Sequence, residues 1–263
     1  MELTQIHPEA KLAKDIVVCP FTTIAKNVEI GEGAWIGPNV TIMENVKIGK
    51  NCKIYPGAVV GAEPQDLKFQ GEETYVIIGD NVTIRECVTI NRGTAASGKY
   101  KTIIGNNCLL MSYVHVAHDS VIGNNVILAS YTGVAGESVI QDWAILGGQT
   151  GMHQFTRIGT HAMLSGGSLV GKDVPPYVIA GHHPLSYGGV NRIGLRRRGF
   201  TNEKINEMHD IYRIIYFGGL NITDACTKIE AEMPQTEERD IILEFIRTSK
   251  RGIIKSTANL EEL

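Results

Sequence analysis

The chain is short of aromatic side chains, of cysteine pairs, of long apolar runs and of any large charge excess. Aromatic residues make up 6% of its 263 positions, so bulky rings cannot fill the core. Five cysteines is an odd number and they stand in no framework spacing; this predicts a reducing, cytoplasmic setting without structural disulfides. No stretch of the chain is apolar for long enough to form a membrane span. The start, MELTQIHPEAKLAKD, lacks the basic and apolar segments of a signal peptide. Lys+Arg 25 against Asp+Glu 28 leaves a formal charge of −3, which argues against a surface built to neutralise nucleic-acid phosphates. Valine is missing from residues 191–263, although 20 valines precede them.

Glycine (29), isoleucine (32) and valine (20) are abundant, which predicts a core of small branched side chains in strands. Charged residues number 24 of 73 in the valine-free tail and 29 of 190 before it. That contrast predicts strands over 1–190 and an α-helical C-terminal domain over 191–263. The boundary between the two compositions falls near Val174-Pro175-Pro176-Tyr177.

Every sixth residue repeats one character. Ile6, Leu12, Val18, Ile24, Ile30, Ile36, Ile42, Ile48, Ile54 and Val60 form a first run, and Ile78, Ile84 and Ile90 continue it. After a shift of two, the series is unbroken from Ile104 to Val170. All 25 positions are aliphatic or Met, whereas Ile, Leu, Val and Met supply 74 of 263 residues. Six is not a multiple of 3.6, so amphipathic helices fail as an explanation. Short strands joined by tight corners fit it: three hexads make one coil of 18 residues, with equivalent residues stacked as parallel strands. The expected fold is a parallel β-helix. Two polar interruptions, 61–77 and roughly 91–103, should bulge from the coil as loops, where binding groups often sit. In the tail, Thr201, Thr223 and Thr236 are candidate N-caps of three helices. Ile205, Met208, Ile211, Tyr212 and Ile215 would face inward from the first, and Ile241, Ile242, Phe245 and Ile246 from the third.

The 18-residue coil is also a ruler. It places His118, Gly136 and Gln154 in one stripe, with Ala117, Ala135 and His153 beside it. These are outward hexad positions, where a histidine has no packing role. His titrates near neutrality and can take a proton from an alcohol. A nearby glycine amide can stabilise an oxyanion, an effect worth about 3–4 kcal/mol elsewhere. Such a stripe suits acyl transfer. No Cys or Ser stands in a nucleophile context, which favours direct attack by the acceptor.

The segments GAEPQDLKFQGEE, IRECVTINRGT, VHVAHD, MHQF, KDVPPYVIAG and NRIGLRRRGF, in that order, resemble the UDP-N-acetylglucosamine O-acyltransferases of lipid A synthesis over essentially the whole chain. The resemblance implies a left-handed β-helix and a cytoplasmic homotrimer with active sites between subunits. The implied reaction moves an (R)-3-hydroxyacyl chain from acyl carrier protein to the 3-hydroxyl of UDP-N-acetylglucosamine. No cofactor or metal is implied beyond the phosphopantetheine arm of the carrier. Carried over, His118 is the general base, Asp119 orients it, and the Gly136 amide is the oxyanion donor. Gln65, Asp66, Lys68, His115, His153 and Gln154 line the sugar and acyl pocket. Asn191, Arg197 and Arg198 contact nucleotide or carrier, and Met163 and Gly166 measure acyl length. Two positions depart from the family pattern: Glu137 where many members have His, and Ile193 where many have an acidic residue. The run Arg196-Arg197-Arg198, with Arg192 and Lys204, would suit an acidic carrier.

Three other readings compete. A related acyltransferase acts on the amine of the acylated sugar, but carries a separate N-terminal domain, whereas hexads here begin at Ile6. A β-helical carbonic anhydrase would hold zinc through His115 and His118, with His153 too far along the coil to be an obvious third ligand. A purely structural solenoid would need neither the QDLK loop nor the histidine stripe.

Overall fold

The computed structural model describes residues 3–257. The hexads fold into two-residue strands, and strands three hexads apart pair in parallel, so that three sheets of 9, 8 and 11 strands wrap one interior. Register follows the 18-residue ruler: His115 pairs with Gly133 and Gly133 with Gly151, while Val116, Val134 and Met152 stack one over another. The aliphatic column is buried from Ile24 onward. Its first member, Ile6, on the first coil of the described residues, is 40% exposed.

Two sequence features recur at the corners. The residue three after the inward aliphatic takes a left-handed backbone: Asn27, Asn39, Asn45, Asn51, Asn81, Asn107 and Asn125 have φ between 54° and 63°. Asparagine tolerates that region better than other residues with a side chain. Buried hydroxyls two residues before an inward aliphatic close other turns, whose left-handed residues are Tyr131 and Phe155: Thr132 Oγ1 donates to Ala129 O at 2.7 Å and Thr156 Oγ1 to His153 O at 2.6 Å. Glycines following the aliphatic let coils touch: a Cβ on Gly105 would lie 2.6 Å from the Gly123 carbonyl carbon.

The interruptions are shorter than expected. Strands Val59–Ala62 and Tyr75–Ile78 trim the first to 63–74, and Thr89–Asn91 and Lys101–Ile104 trim the second to 92–100. Flanking residues of both loops keep the six-residue alternation and therefore stay in the sheets. Strands also persist past Val174–Pro176, in the antiparallel pair Val178–Gly181 and Ser186–Val190. Helices begin at α1 (Arg192–Arg197), a short turn not anticipated from periodicity and capped by the Asn191 side chain. α2 (Asn202–Phe217) and α4 (Glu237–Arg247) start at Thr201 and Thr236 as expected. α3 (Ile222–Glu232) is capped by Asn221 rather than Thr223; the Asn221 side chain accepts from the Asp224 amide at 2.9 Å. α4 buries Leu243 with Ile242, Phe245 and Ile246, leaving Ile241 only partly covered.

The tail is fastened to the coil. Arg157 binds Asp173 at 3.0 Å and the Phe245 carbonyl at 2.7 Å, the buried Tyr212 hydroxyl donates to Pro176 O at 2.6 Å, and strand Lys255–Ser256 pairs with Ser186–Tyr187. No helix among the described residues is long and apolar enough to cross a membrane.

Candidate active site

His118 follows strand His115–Val116 at the first corner of its coil. Asp119 is the left-handed residue of that corner, with φ 59°. The conformation that asparagine takes elsewhere here places a carboxylate against the preceding ring: Asp119 Oδ2 lies 2.8 Å from His118 Nδ1. A carboxylate only accepts, so Nδ1 carries the proton and Nε2 of the neutral ring is left as an acceptor.

Both groups face away from the coil interior, yet they are covered. His118 is 7% exposed and Asp119 0%. The stripe is outward, as its hexad positions require, but at this corner the two loops roof it. From the 92–100 loop, Thr94 N–H donates to Asp119 Oδ1 and Oδ2 at 3.0 and 3.1 Å, and Thr94 Oγ1 to Oδ2 at 2.7 Å. The Asp119 amide donates to Thr102 Oγ1 at 2.8 Å, and Lys99 Nζ donates to the Asp119 carbonyl at 3.2 Å. From the 63–74 loop, Asp66 brings Oδ2 to 3.7 Å from His118 Nε2. Asp66 is itself set by a turn in which its Oδ1 accepts from the Lys68 amide at 2.9 Å.

Gly136 stacks one coil above His118, whose ring occupies the space of a side chain. A Cβ there would lie 2.4 Å from His118 Nε2 and 2.6 Å from Cε1. Among the described residues, nothing accepts a hydrogen bond from the buried Gly136 amide.

The hydrogen bond to Asp119 raises the His118 pKa above its usual value against the opposing effect of burial, helped by the charges of Asp119, Asp66 and Glu137. Burial alone would push Asp119 up, but hydrogen bonds from His118, Ser97 and Thr94 outweigh it and hold the carboxyl low. His115 accompanies this corner on the adjoining strand; burial lowers its pKa, and its Nδ1 lies 2.8 Å from Thr89 Oγ1. His153 is exposed, with Nδ1 donating to Gln154 O at 3.0 Å. Gln154 is half-buried in the same stripe, and Gln65 and Lys68 are exposed on the loop above.

The remaining candidates stand at other corners. Asn191 and Arg198 meet at the second: Asn191 Nδ2 donates to His161 O at 3.0 Å and Arg198 to His161 Nδ1 at 3.1 Å. Arg198 also lies over the Trp143 ring at 5.2 Å. Because the guanidinium can only donate, His161 Nδ1 is unprotonated, and burial together with Arg198 pulls its pKa down to about 4. His161 is stacked between Trp143 and Tyr177; nothing in its hexad position set it apart beforehand. Arg197 and Ile193 are exposed on α1. The basic run is thus not one free patch: Arg196 binds Asn202, Arg192 binds Asn206 and Lys204 pairs with Glu238. Met163 and Gly166 are exposed at the third sheet and corner. One chain accordingly brings together His118, Asp119, Gly136 and Asp66, with His115, His153, Gln154, Gln65 and Lys68 around them, but neither Asn191, Arg197 and Arg198 nor Met163 and Gly166.

Sequence reasoning missed Thr94, Thr102, Lys99 and Glu72. Thr94, Lys99 and Glu72 lie in loops that break the repeat, so the ruler gave them no position, and Thr102 stands on strand Lys101–Ile104 at an ordinary small-residue position two before Ile104. No cysteine is poised as a nucleophile here. Cys52 and Cys108 fill small interior positions, where burial pushes the Cys108 thiol up to about 11. Among the described residues, no three His, Cys, Asp or Glu side chains cluster as a metal site.

A family model described as "Udp N-acetylglucosamine O-acyltransferase; Domain 2" matches residues 173–254, and one for bacterial transferase hexapeptides matches 27–62 and 101–136. An acyl-[acyl-carrier-protein]–UDP-N-acetylglucosamine O-acyltransferase of Thermodesulfovibrio yellowstonii is 44% identical over 250 residues, covering 95% of this chain and 96% of the relative. The crystal structure of a UDP-N-acetylglucosamine acyltransferase from Bacteroides fragilis aligns with TM-score 0.94 at 54% identity, covering 96% of this chain and 98% of that one. One from Francisella novicida aligns with TM-score 0.95 at 39% identity, covering 99% and 95%.

Proposed function

Because this chain belongs to the UDP-N-acetylglucosamine O-acyltransferase family and is an acyltransferase, we propose that it transfers an (R)-3-hydroxyacyl chain from acyl carrier protein to the 3-hydroxyl of UDP-N-acetylglucosamine, the first step of lipid A synthesis. The observation that carries the reading is the His118–Asp119 pair packed against Gly136. His118 Nε2 takes the proton of the sugar hydroxyl as its oxygen attacks the thioester carbonyl. The amide of Gly136 donates to the resulting oxyanion. Collapse expels the phosphopantetheine sulfur, which leaves with the proton held on Nε2, and the base is restored. No covalent acyl-enzyme and no cofactor is required.

Asp66 and Lys68 serve the sugar from the first loop, with Gln65 beside them. His115, His153 and Gln154 line the acyl path, and Gln154 meets the 3-hydroxyl of the incoming chain. The separation of Asn191, Arg197, Arg198, Met163 and Gly166 from His118 around the coil supports sites shared between copies of the chain. We therefore read a homotrimer of left-handed coils, working in the cytoplasm, with Arg197 and Arg198 toward nucleotide or carrier. Gly166 leaves room for a long acyl chain.

The test is acyl transfer from a panel of (R)-3-hydroxyacyl carrier thioesters to UDP-N-acetylglucosamine. His118→Ala should keep its fold and assembly and lose turnover by at least about 10²-fold, the usual contribution of a positioned base. Undiminished turnover in that variant would refute the assignment.

A further inference from the structure

The two loops are joined at a point that neither the hexads nor the reaction accounts for. Glu72 Oε1 accepts from the Ala95 amide at 2.8 Å, and its Oε2 from the Gln70 amide at 2.7 Å. Ala95 directly follows Thr94, whose three hydrogen bonds hold the Asp119 carboxylate. Gln70 lies in the loop that carries Asp66. One connected path thus runs from Asp66 through Glu72 and Thr94 to Asp119, and its two ends lie at the two nitrogens of His118.

We infer that the two loops form one brace that sets the proton affinity of His118, with Thr94 and Glu72 as its positioning residues. This rests on the reading of His118 as the base. Neither residue reaches the reacting atoms. Thr94 acts through Asp119 Oδ2, the oxygen that it shares with His118 Nδ1. Glu72 acts through the placement of Asp66. The charged groups facing the ring are Asp119 on its own corner, Asp66 from the first loop and Glu137 from the next coil, with Lys99 at the Asp119 carbonyl.

The two residues have opposite effects, which makes the inference testable. Thr94→Val removes one donor from Oδ2 but keeps both backbone bonds, so the carboxylate stays in place and becomes a stronger partner for the imidazolium. Glu72→Gln puts an amide NH₂ where an acceptor is needed, which frees the first loop and moves Asp66 from the ring. The experiment is an NMR titration of the His118 imidazole in each variant of the full chain, alongside the pH profile of acyl transfer. Thr94→Val should raise the titration midpoint and lower turnover roughly three- to tenfold on the acid side, a loss that shrinks as pH rises. Thr94→Ser, which keeps the hydroxyl, should restore both. Glu72→Gln should lower the midpoint and raise KM for the sugar nucleotide more than it changes kcat.

A midpoint in Thr94→Val equal to that of the unaltered protein, or one that Thr94→Ser fails to restore, overturns the brace. Should Thr94→Val not fold, Glu72→Gln decides it: a midpoint that stays or rises overturns the brace. The titration needs no substrate. Midpoints that move as stated in a protein without acyl transfer would sink the functional reading and leave the brace standing.

Discussion

Gly136→Ala offers the sharpest test of how the site is packed. Its backbone does not occupy the left-handed region that favours glycine, so alanine brings no conformational penalty of that kind. The added methyl would lie 2.4 Å from His118 Nε2, 2.6 Å from Cε1 and 3.1 Å from Cδ2. Carbon contacts are comfortable at about 3.5–4.0 Å, so the ring must retreat by about 1 Å or more. It cannot do so freely, because Nδ1 is held at 2.8 Å by Asp119, which is buried and bound by Thr94. Either that bond breaks or the stack of coils shifts. A misplacement of about 1 Å at a reacting group can cost about 10²-fold, so kcat/KM for acyl transfer should fall by roughly that factor. The stability cost should be modest, about 1.5–3 kcal/mol if the charged hydrogen bond is lost. Steady-state acyl transfer measures the first quantity and denaturant unfolding the second. NMR titration should show the His118 midpoint falling toward its ordinary value as Asp119 is lost. Activity within a factor of about three of the unaltered enzyme would refute the packing argument, since a displacement of that size should cost far more.

Other consequences concern pH, coil contacts and acyl length. As the proposed base, His118 has to be neutral to take the proton, so kcat/KM should rise with pH through a midpoint above the ordinary 6.5. Asp66→Asn should move that midpoint down, and a profile unchanged in that variant would remove Asp66 from the electrostatics. Because the folded pKa is raised, the stability contributed by protonated His118 is full below the ordinary 6.5 and is lost as pH climbs through the folded value. Thermal melts of the native protein and His118→Ala should accordingly converge across that window. Gly105→Ala drives a methyl to 2.6 Å from Gly123 backbone and should destabilise by about 1–3 kcal/mol. At Gly171 nothing lies within 4 Å of an added Cβ, so Gly171→Ala should unfold like the native chain; equal effects at the two sites would contradict the close stacking of coils. Gly166→Met should shift preference toward shorter acyl donors in the thioester panel, and an unchanged chain-length profile would end its role as a ruler.

The solenoid was legible because its code is local and repeated. One large aliphatic every six residues, with a small residue two before it, states the strand, the corner and the inward face within a single hexad. Counting by 18 then placed His118, Gly136 and Gln154 in register without any coordinates, and strand pairing bears out that register. The helices of the tail were legible for the same reason. The cap at Asn221 and the short α1 were not, because each is settled by one or two side-chain bonds rather than by a period.

What the sequence by itself determined is the coil, its interior column and the stripe that bears the histidine and glycine. Only the tertiary structure decided that this stripe is roofed, that Asp119 is buried under Thr94, and that Glu72 ties one loop to the other. It also decided that Arg198 meets His161 rather than His118, and that Asn191, Met163 and Gly166 face other corners. The physical reason is the range of the interactions. A hexad stacks on its copy at a fixed separation along the chain, so periodicity carries the information. A loop that leaves the coil folds back through single hydrogen bonds to residues 20 to 25 positions away, and no repeat records where those bonds land.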